Sequence, residues 1–324
     1  MPELSVVIPV YNEKENVGEL YERLQGVMES LGRDYEIIFV DDGSTDGSSE
    51  ILDEIASRKG SRVTVVHFRR NFGQTAALDA GFRQSRGKVI ITLDADLQND
   101  PSDIPMLLEK LEEGYDIVSG WRKNRKDAFV KRTLPSMVAN WLISKVTGVY
   151  LHDYGCTLKC YRREVVEHLT LYGELHRFLP ALASHIGARV VEIPVTHHPR
   201  IHGESKYGIS RVFKVLVDLM VVVFLLKYST RPFRLFGSGG LISFALGFLM
   251  ALYLSAQKLL FGAQIGHRPL LLLSVLLMIL GIQLASLGIL AELLIRIYFE
   301  NQGKLPYVMS YVVSEGTTIN ANET

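Results

Sequence analysis

Two stretches of the chain contain no charged residue: Leu235 to Ala256 and Leu270 to Ala291, 22 residues each. At ~1.5 Å rise per residue, each reaches ~33 Å as a helix, enough to cross a hydrocarbon core of ~30 Å. Both are apolar all round rather than on one face, which disfavours a buried helical hairpin of a soluble protein. A short loop, "QKLLFGAQIGHRP", joins them. The preceding "SRVFKVLVDLMVVVFLLKYSTRPFR" is apolar but carries Arg211, Lys214, Asp218 and Lys227, and Pro232 ends it. An interfacial helix fits it better than a third span. The organisation expected is a soluble unit over 1–206, an interfacial helix over 207–234, spans over 235–256 and 270–291, and a tail over 292–324. Lys227, Arg231 and Arg234 precede the spans, and Arg296 and Lys304 follow them. Lys258 and Arg268 in the hairpin dilute the bias, which still puts both termini on the cytoplasmic side.

The part before the spans reads differently. "LSVVIPV", "YEIIFV", "VTVVHF" and "KVIITLDAD" alternate with helical stretches. Continuous β-branched runs between helices predict an α/β fold with a mostly parallel sheet covered on both faces. "LSVVIPV" is short, lacks a basic leader and runs into "YNEKEN", so it is read as the first strand, not a signal peptide. Sheets of this kind bind ligands at the carboxyl ends of their strands. The polar clusters sit at those ends: Tyr11 to Glu13, Asp41 with Asp42, Asn71, and Asp94 with Asp96. Four in succession outline one crevice.

Several function classes are disfavoured. Lysine plus arginine number 35 and aspartate plus glutamate 35, so there is no global basic signature of nucleic-acid binding. No Gly-x-Gly-x-x-Gly follows the first strand, and "GESK" (Gly203 to Lys206) lacks the first glycine of a Walker A loop. Cys156 and Cys160 are too few for a structural zinc site or a disulfide framework, and are read as core thiols.

The stretch "ITLDADLQND" starts like a buried strand and ends by gathering Asp94, Asp96 and Asp100. Carboxylates this close repel one another unless a cation sits between them. Asp94-x-Asp96, with Gln98 two further on, offers alternating oxygen ligands on one side. Oxygen ligands suit Mg²⁺ or Mn²⁺, and Mg²⁺ completes its shell with water and substrate phosphates. Asp-x-Asp alone is weak, since turns are rich in aspartate.

"VVIPVYNE", "VDDGSTDGS", "RNFGQTAALDAG", "LDADLQ", "GWRKNR", "DYGCTLKCYRRE" and "RIHGESKYG" follow one another in this order. Together with the two spans, the series resembles the family-two, GT-A-fold polyprenyl-phosphate glycosyltransferases. That group includes dolichol-phosphate mannose synthase and bactoprenol glucosyltransferase. "DYGC" and "GESKY" are similar to segments of its undecaprenyl-phosphate 4-deoxy-4-formamido-L-arabinose transferases. The resemblance implies an inverting enzyme of an inner membrane, catalytic domain in the cytoplasm, using a nucleotide-sugar, expected to be a UDP-sugar, and a polyprenyl phosphate such as undecaprenyl phosphate. It implies that Pro9, Tyr11 and Glu13 hold the base and ribose, and that Asp41 and Asp42 read the base edge. It implies a metal and diphosphate site at Asp94, Asp96 and Gln98, with Asp153 near the reaction centre. Arg122, Arg200, Ser205 and Lys206 fall in motifs expected around phosphates. A homo-oligomer, dimer or tetramer, is expected through the membrane helices.

Residue chemistry leaves other readings open. Asn12 is also a candidate N-cap for the first helix. A processive polysaccharide synthase uses Asp-x-Asp too, but resembles its kin in a Gln-x-x-Arg-Trp motif, and no Arg-Trp pair occurs here. A membrane adaptor would not need Asp94, Asp96, Asp153 and Lys206 together. A nucleotidyltransferase would carry a glycine-rich phosphate loop near its N-terminus.

Overall fold

Leu4–Val10 (β1), Tyr35–Asp41 (β2) and Val63–Phe68 (β3) are buried almost throughout, as strands covered on both faces must be. The computed structural model describes residues 1–123, 140–141, 143–145, 147–169, 171, 175–199, 224, 233–262, 264, 269–300, 309–314 and 317–320. The chain forms two units, Met1–Leu219 with Leu305–Thr324, and Met220–Lys304.

In the first unit, β4 (Val89–Thr92), β5 (Ile117–Trp121), β6 (Lys159–Arg162), β7 (Val190–Pro194), β8 (Met309–Ser314) and β9 (Thr317–Asn320) complete a nine-stranded sheet of order β7-β5-β6-β4-β1-β2-β3-β8-β9. β1 pairs in parallel with β2 and β4, β2 with β3, and β5 with β7. β6 runs against β4 and β5, and β8 against β3 and β9. Most strands therefore share one direction, as expected, with β6 and β8 the opposed ones. The opposed β6 matters for the site: it begins, with Lys159, at the edge where β4 ends.

Helices α1 (Lys14–Ser30), α2 (Ser48–Ser57), α3 (Gln74–Gln84) and α4 (Ile104–Glu112) fill the connections. α1 buries Val17, Leu20, Tyr21, Leu24 and Met28, an apolar stripe at helical spacing. Shorter helices α5 (Arg163–Glu167) and α6 (Leu179–His185) follow β6. Cys156 and Cys160 are buried free thiols, as read from the sequence.

The segment 292–324, expected as a tail, does more. Its first residues continue the second apolar helix, and Met309–Ser314 adds to the sheet, with Val65 opposite Val313. "MSYVVSEGTTIN" is β-branched and aromatic around a polar centre, and an exposed strand edge such as β3 readily accepts such a partner.

The second unit holds α7 (Phe233–Phe261) and α8 (Pro269–Glu300). Both are long and apolar enough to cross a membrane, over Phe233–Phe261 and Pro269–Ala291. In their most apolar windows 22% and 11% of residues are buried, whereas a soluble core helix would be mostly buried. Small residues let them touch: a Cβ at Gly240 would lie 2.6 Å from the Gly281 carbonyl, and one at Gly247 2.6 Å from that of Ser274. Ser243 Oγ donates to the Leu277 carbonyl at 2.9 Å. Small residues at the contact and exposed leucines outside are the pattern of helices packed in lipid. Of the expected interfacial helix over 207–234, Phe224, Phe233 and Arg234 are described, the last two opening α7; the rest lies outside the described residues.

Candidate active site

The carboxyl edge of the sheet carries the polar residues singled out in the sequence. Pro9 is half-buried near the end of β1, and Tyr11 is exposed just beyond it. Asn12 does not cap α1. It adopts φ 54°, and its side chain accepts from the Thr45 amide at 2.8 Å while its own amide donates to Ser44 Oγ at 3.0 Å. Glu13 occupies the cap position without a capping bond; its Oε2 accepts from Asn16 Nδ2 at 2.6 Å. The loop after β1 is thus laced to the loop after β2.

Asp41 and Asp42 are buried, 2% and 3% exposed. Asp41 accepts from the Ser44 amide at 2.9 Å and from Ser49 Oγ at 2.6 Å, and faces His67 Nδ1 at 2.9 Å. The other ring nitrogen of His67 faces Asp53 at 2.9 Å. Burial opposes charge on this imidazole, but the two carboxylates outweigh it and raise its pKa. Burial likewise pushes Asp41 up, but the hydrogen bonds from His67, Ser44 and Ser49 hold it below the ordinary range. Asp42 cradles the loop after β3: Asn71 Nδ2 at 2.9 Å, the Phe72 amide at 2.7 Å and the Gly73 amide at 2.9 Å donate to it. Gly43 permits this, since a Cβ there would sit 2.5 Å from the Arg70 carbonyl carbon. Both carboxylates therefore brace loops. Each oxygen meets donors from its own chain, which fixes both carboxylates at the crevice wall.

The other half of the crevice is differently made. β4 stops at Thr92, so Asp94, Asp96 and Gln98 stand on a turn rather than alternating along a strand. Leu97 has φ 59°, a left-handed conformation that costs a branched L-residue about 1–2 kcal/mol, and its buried side chain anchors the turn. Asp96 Oδ1 accepts from the Gln98 amide at 3.2 Å. Gln74 Nε2, at the start of α3, donates to Asp94 Oδ1 at 2.8 Å and ties the two halves together. Burial, then the charge of Asp96, pushes the Asp94 carboxyl up to about 6, against the Thr157 hydroxyl, Arg122 and Lys159. Asp100 does not join them. It accepts from the Ser102 amide at 2.9 Å at the start of a short turn of helix and from His198 Nε2 at 2.8 Å.

Repulsion between Asp94 and Asp96 is what a divalent cation would relieve, so the donor set fits Mg²⁺ or Mn²⁺. Among the described residues no cluster of three or more His, Cys, Asp or Glu could hold a metal. Such a site needs further oxygens from a ligand, as Mg²⁺ sites commonly take from phosphates.

Arg122 follows β5 and grips Asp153: Nε donates at 2.7 Å to Oδ2 and Nη2 at 3.0 Å to Oδ1. Asp153 is 2% exposed and also accepts from the Gly155 amide at 3.1 Å. Burial opposes the guanidinium charge, but Asp153 outweighs it and raises the Arg122 pKa. The arginine expected around a phosphate is thus first a partner of Asp153. Beneath them Lys159, 3% exposed, donates from Nζ to the carbonyls of Tyr154, at 3.4 Å, and Cys156. Gln74, Thr157 and Lys159 carry no role in the sequence reading, although each lies inside a stretch singled out there. Arg200, Ser205 and Lys206 lie outside the described residues. A cavity of ≈ 610 Å³ opens beside Tyr35 and Arg62, at the amino end of β2. Arg62 there pairs with Asp34 at 3.5 Å, and the crowded carboxylates lie at the other end of the sheet.

This fold is shared with known proteins. The solved structure of glucosyl-3-phosphoglycerate synthase from Mycobacterium tuberculosis, in complex with Mn²⁺, UDP and phosphoglyceric acid, superposes with a TM-score of 0.54 at 18% identity, covering 69% of this chain and 78% of that one. That likeness establishes the fold. Among curated relatives, the dodecaprenyl-phosphate galacturonate synthase of Rhizobium johnstonii is 45% identical, over 97% of this chain and 94% of its own. The undecaprenyl-phosphate 4-deoxy-4-formamido-L-arabinose transferase of Pseudomonas paraeruginosa is 44% identical, over 96% of this chain and 90% of its own. Residues 5–170, which carry the sheet edge from Tyr11 to Lys159, match the model of glycosyl transferase family 2. The chain belongs to that family.

Proposed function

We propose that the protein transfers a sugar, with inversion, from a UDP-sugar to a polyprenyl phosphate at the cytoplasmic face of a membrane. The observation that carries this reading is the pairing, on one edge, of a repelling carboxylate couple (Asp94, Asp96) with a locked Arg122–Asp153 bridge. Relatives alike over nearly the whole chain are polyprenyl-phosphate sugar transferases by name. The catalytic unit is 1–206 with the β8–β9 hairpin added, and α7 and α8 anchor the enzyme.

A lipid phosphate has its second pKa near ~6 and is mostly ionised at pH 7. Its oxygen is already a nucleophile and needs positioning more than deprotonation. Asp153, held by a guanidinium in two hydrogen bonds, is a poor base. It orients Arg122, whose Nη1 remains for an anionic oxygen, and Arg200, Ser205 and Lys206 complete the acceptor site. Asp94 and Asp96 hold the metal, with Gln98 alongside, and the bound cation supplies charge stabilisation for the departing diphosphate. Tyr11, Pro9 and Glu13 line the base and ribose side, while Asp41 and Asp42 shape it from behind.

The test is radiolabelled transfer to undecaprenyl phosphate from a panel of UDP-sugars, including galacturonate and 4-formamido-arabinose donors, with and without EDTA. Transfer from one donor that EDTA abolishes is expected. Absence of lipid-linked product from every donor, in protein that binds UDP, would remove the reading.

A further inference from the structure

The hydrogen bond from Gln74 Nε2 to Asp94 Oδ1, at 2.8 Å, crosses from the head of α3 to the turn after β4. The backbone on either side of Gln74 is fixed. Before it, the Gly73 amide donates to Asp42 at 2.9 Å, and the same carboxylate holds the Phe72 amide and Asn71 Nδ2. Gly73 enters the helix at φ 96°, which glycine adopts without steric penalty. After it, Thr75 is buried and places Oγ1 2.7 Å from His176 Nδ1. A half-buried glutamine is thus launched from a backbone clamped at both neighbours, and its amide meets Asp94. The segment before β6 braces the carboxylate as well. Asn99 Nδ2 donates to Thr157 Oγ1 at 3.1 Å, which leaves the Thr157 hydroxyl to donate to Asp94.

The residue type matters. A lysine at position 74 would hold Asp94 as firmly, but its charge would oppose a cation there, and a glutamate would repel Asp94. Glutamine supplies a donor without charge. We infer that Gln74 is a positioning residue that holds Asp94 for ligation through one oxygen, and so selects Mg²⁺ or Mn²⁺ over Ca²⁺. The inference rests on the metal reading of Asp94 and Asp96 above. Chelation of a cation by both oxygens of Asp94 would compete with the Gln74 amide for Oδ1. Ca²⁺ takes about 6–8 oxygens in flexible geometry, often with both oxygens of a carboxylate. Mg²⁺ demands near-octahedral geometry and makes do with one or two carboxylates plus phosphates and water. Two carboxylates, one of them held in a set orientation, suit the smaller ion. Hydrogen bonds to a ligating carboxylate commonly supply such orientation.

The experiment is a Mn²⁺ titration of the full chain in detergent with UDP present, read by electron paramagnetic resonance, followed by displacement of bound Mn²⁺ with Ca²⁺. Wild type, Gln74→Met, Gln74→Asn and Asp96→Ala are compared, each checked by thermal melting. Gln74→Met keeps the length and loses the donor. Gln74→Asn keeps the amide but is one methylene shorter, and it carries the test if Gln74→Met does not fold. Both should bind Mn²⁺ about ten-fold more weakly than wild type, the scale expected when the partner of a metal ligand is removed. Ca²⁺ affinity should hold or rise, so the ratio of Ca²⁺ to Mn²⁺ affinity should increase about ten-fold or more. A glutamine that merely steadies the head of α3 would lower the melting temperature and leave that ratio unchanged, and an unchanged ratio would overturn the inference. Mn²⁺ binding that is absent from wild type, or that survives Asp96→Ala unchanged, would instead overturn the metal reading, and this role with it.

Discussion

The two pairs of carboxylates on the sheet edge have the same chemistry and opposite circumstances. Asp41 and Asp42, after β2, meet six donors or ring nitrogens from Ser44, Ser49, His67, Asn71, Phe72 and Gly73. Asp94 and Asp96, after β4, stand close together: burial, then the charge of Asp96, pushes the Asp94 carboxyl up to about 6. A satisfied carboxylate is architecture, since its hydrogen bonds are already made within the chain. A frustrated one is a site, since its strain is relieved when a ligand arrives. Proximity to a crevice does not separate the two; the opposed shifts of Asp41 and Asp94 do.

Breaking the frustrated pair should have the largest effect. Asp96→Ala should lower transfer by more than about 10³-fold, as loss of a metal that contributes several kcal/mol to charge stabilisation implies. Folding should hardly change, because removing one of two repelling carboxylates removes a destabilising contact as well. Steady-state kinetics with Mn²⁺ and a melting curve measure both; wild-type turnover would end the metal assignment.

The satisfied pair should answer in the opposite currency, stability first. Asp42→Ala leaves the Phe72 and Gly73 amides and the Asn71 amide group without their acceptor. At ~1–3 kcal/mol for each buried unsatisfied group, and some rescue by water, the fold should lose about 2–4 kcal/mol. Denaturant melting of the variant measures it. A loss of turnover with unchanged stability would place Asp42 among the ligand-binding groups after all.

Arg122 and Asp153 lie between these extremes, satisfied by each other. Arg122→Lys keeps the charge but cannot make the two-pronged contact. Asp153→Asn leaves Arg122 buried without its counter-ion. Each should reduce transfer by about 10- to 100-fold, equivalent to ~1.4–2.7 kcal/mol. UDP affinity, measured calorimetrically, should stay close to wild type. A reduction of a few-fold in Asp153→Asn would deny Asp153 even an orienting role.

Much of this edge was legible in the sequence. The β/α alternation and the four polar clusters predict one crevice, and the charge-free runs predict two spans; α7 and α8 extend beyond both predicted limits. What the sequence could not show is which way a carboxylate turns. The Asp41–His67 contact depends on β2–β3 register, in which the two residues are direct partners, 26 positions apart in the chain. Asp100 was within reach: Asp-Pro-Ser-Asp, with proline at the first helical position, signals a cap and not a ligand. The β8–β9 hairpin is short, and its partner β3 lies more than 240 positions earlier in the chain, so no local signal ties it to the sheet. Lys159 was hidden because lysine is the residue least expected inside a protein.

The smallest expected effect is the sharpest for the comparison, because Asp41 and Asp94 should respond to pH with opposite signs. Asp94 has a folded pKa of about 6, above the ordinary carboxylate value of 3.8. The fold therefore favours its protonated form. The stability this contributes is fully present below the unfolded pKa and is lost as pH rises through about 6. Asp41 is held below its ordinary value by His67, Ser44 and Ser49 against burial. Its contribution is present above the unfolded pKa and is lost as pH falls. Whole-protein melting mixes both with every other group, so the measurement is a difference. Wild type minus Asp94→Asn, in metal-free buffer between pH 4 and pH 7.5, should show wild type losing about 1–2 kcal/mol relative to the variant as pH rises, part of the full linkage being screened by water in the open crevice. Mn²⁺ with UDP should reverse the slope, since a metal ligand must be ionised. Wild type minus Asp41→Asn should slope the other way at the acid end. If both differences slope alike, the distinction between braced and frustrated carboxylates fails at its root.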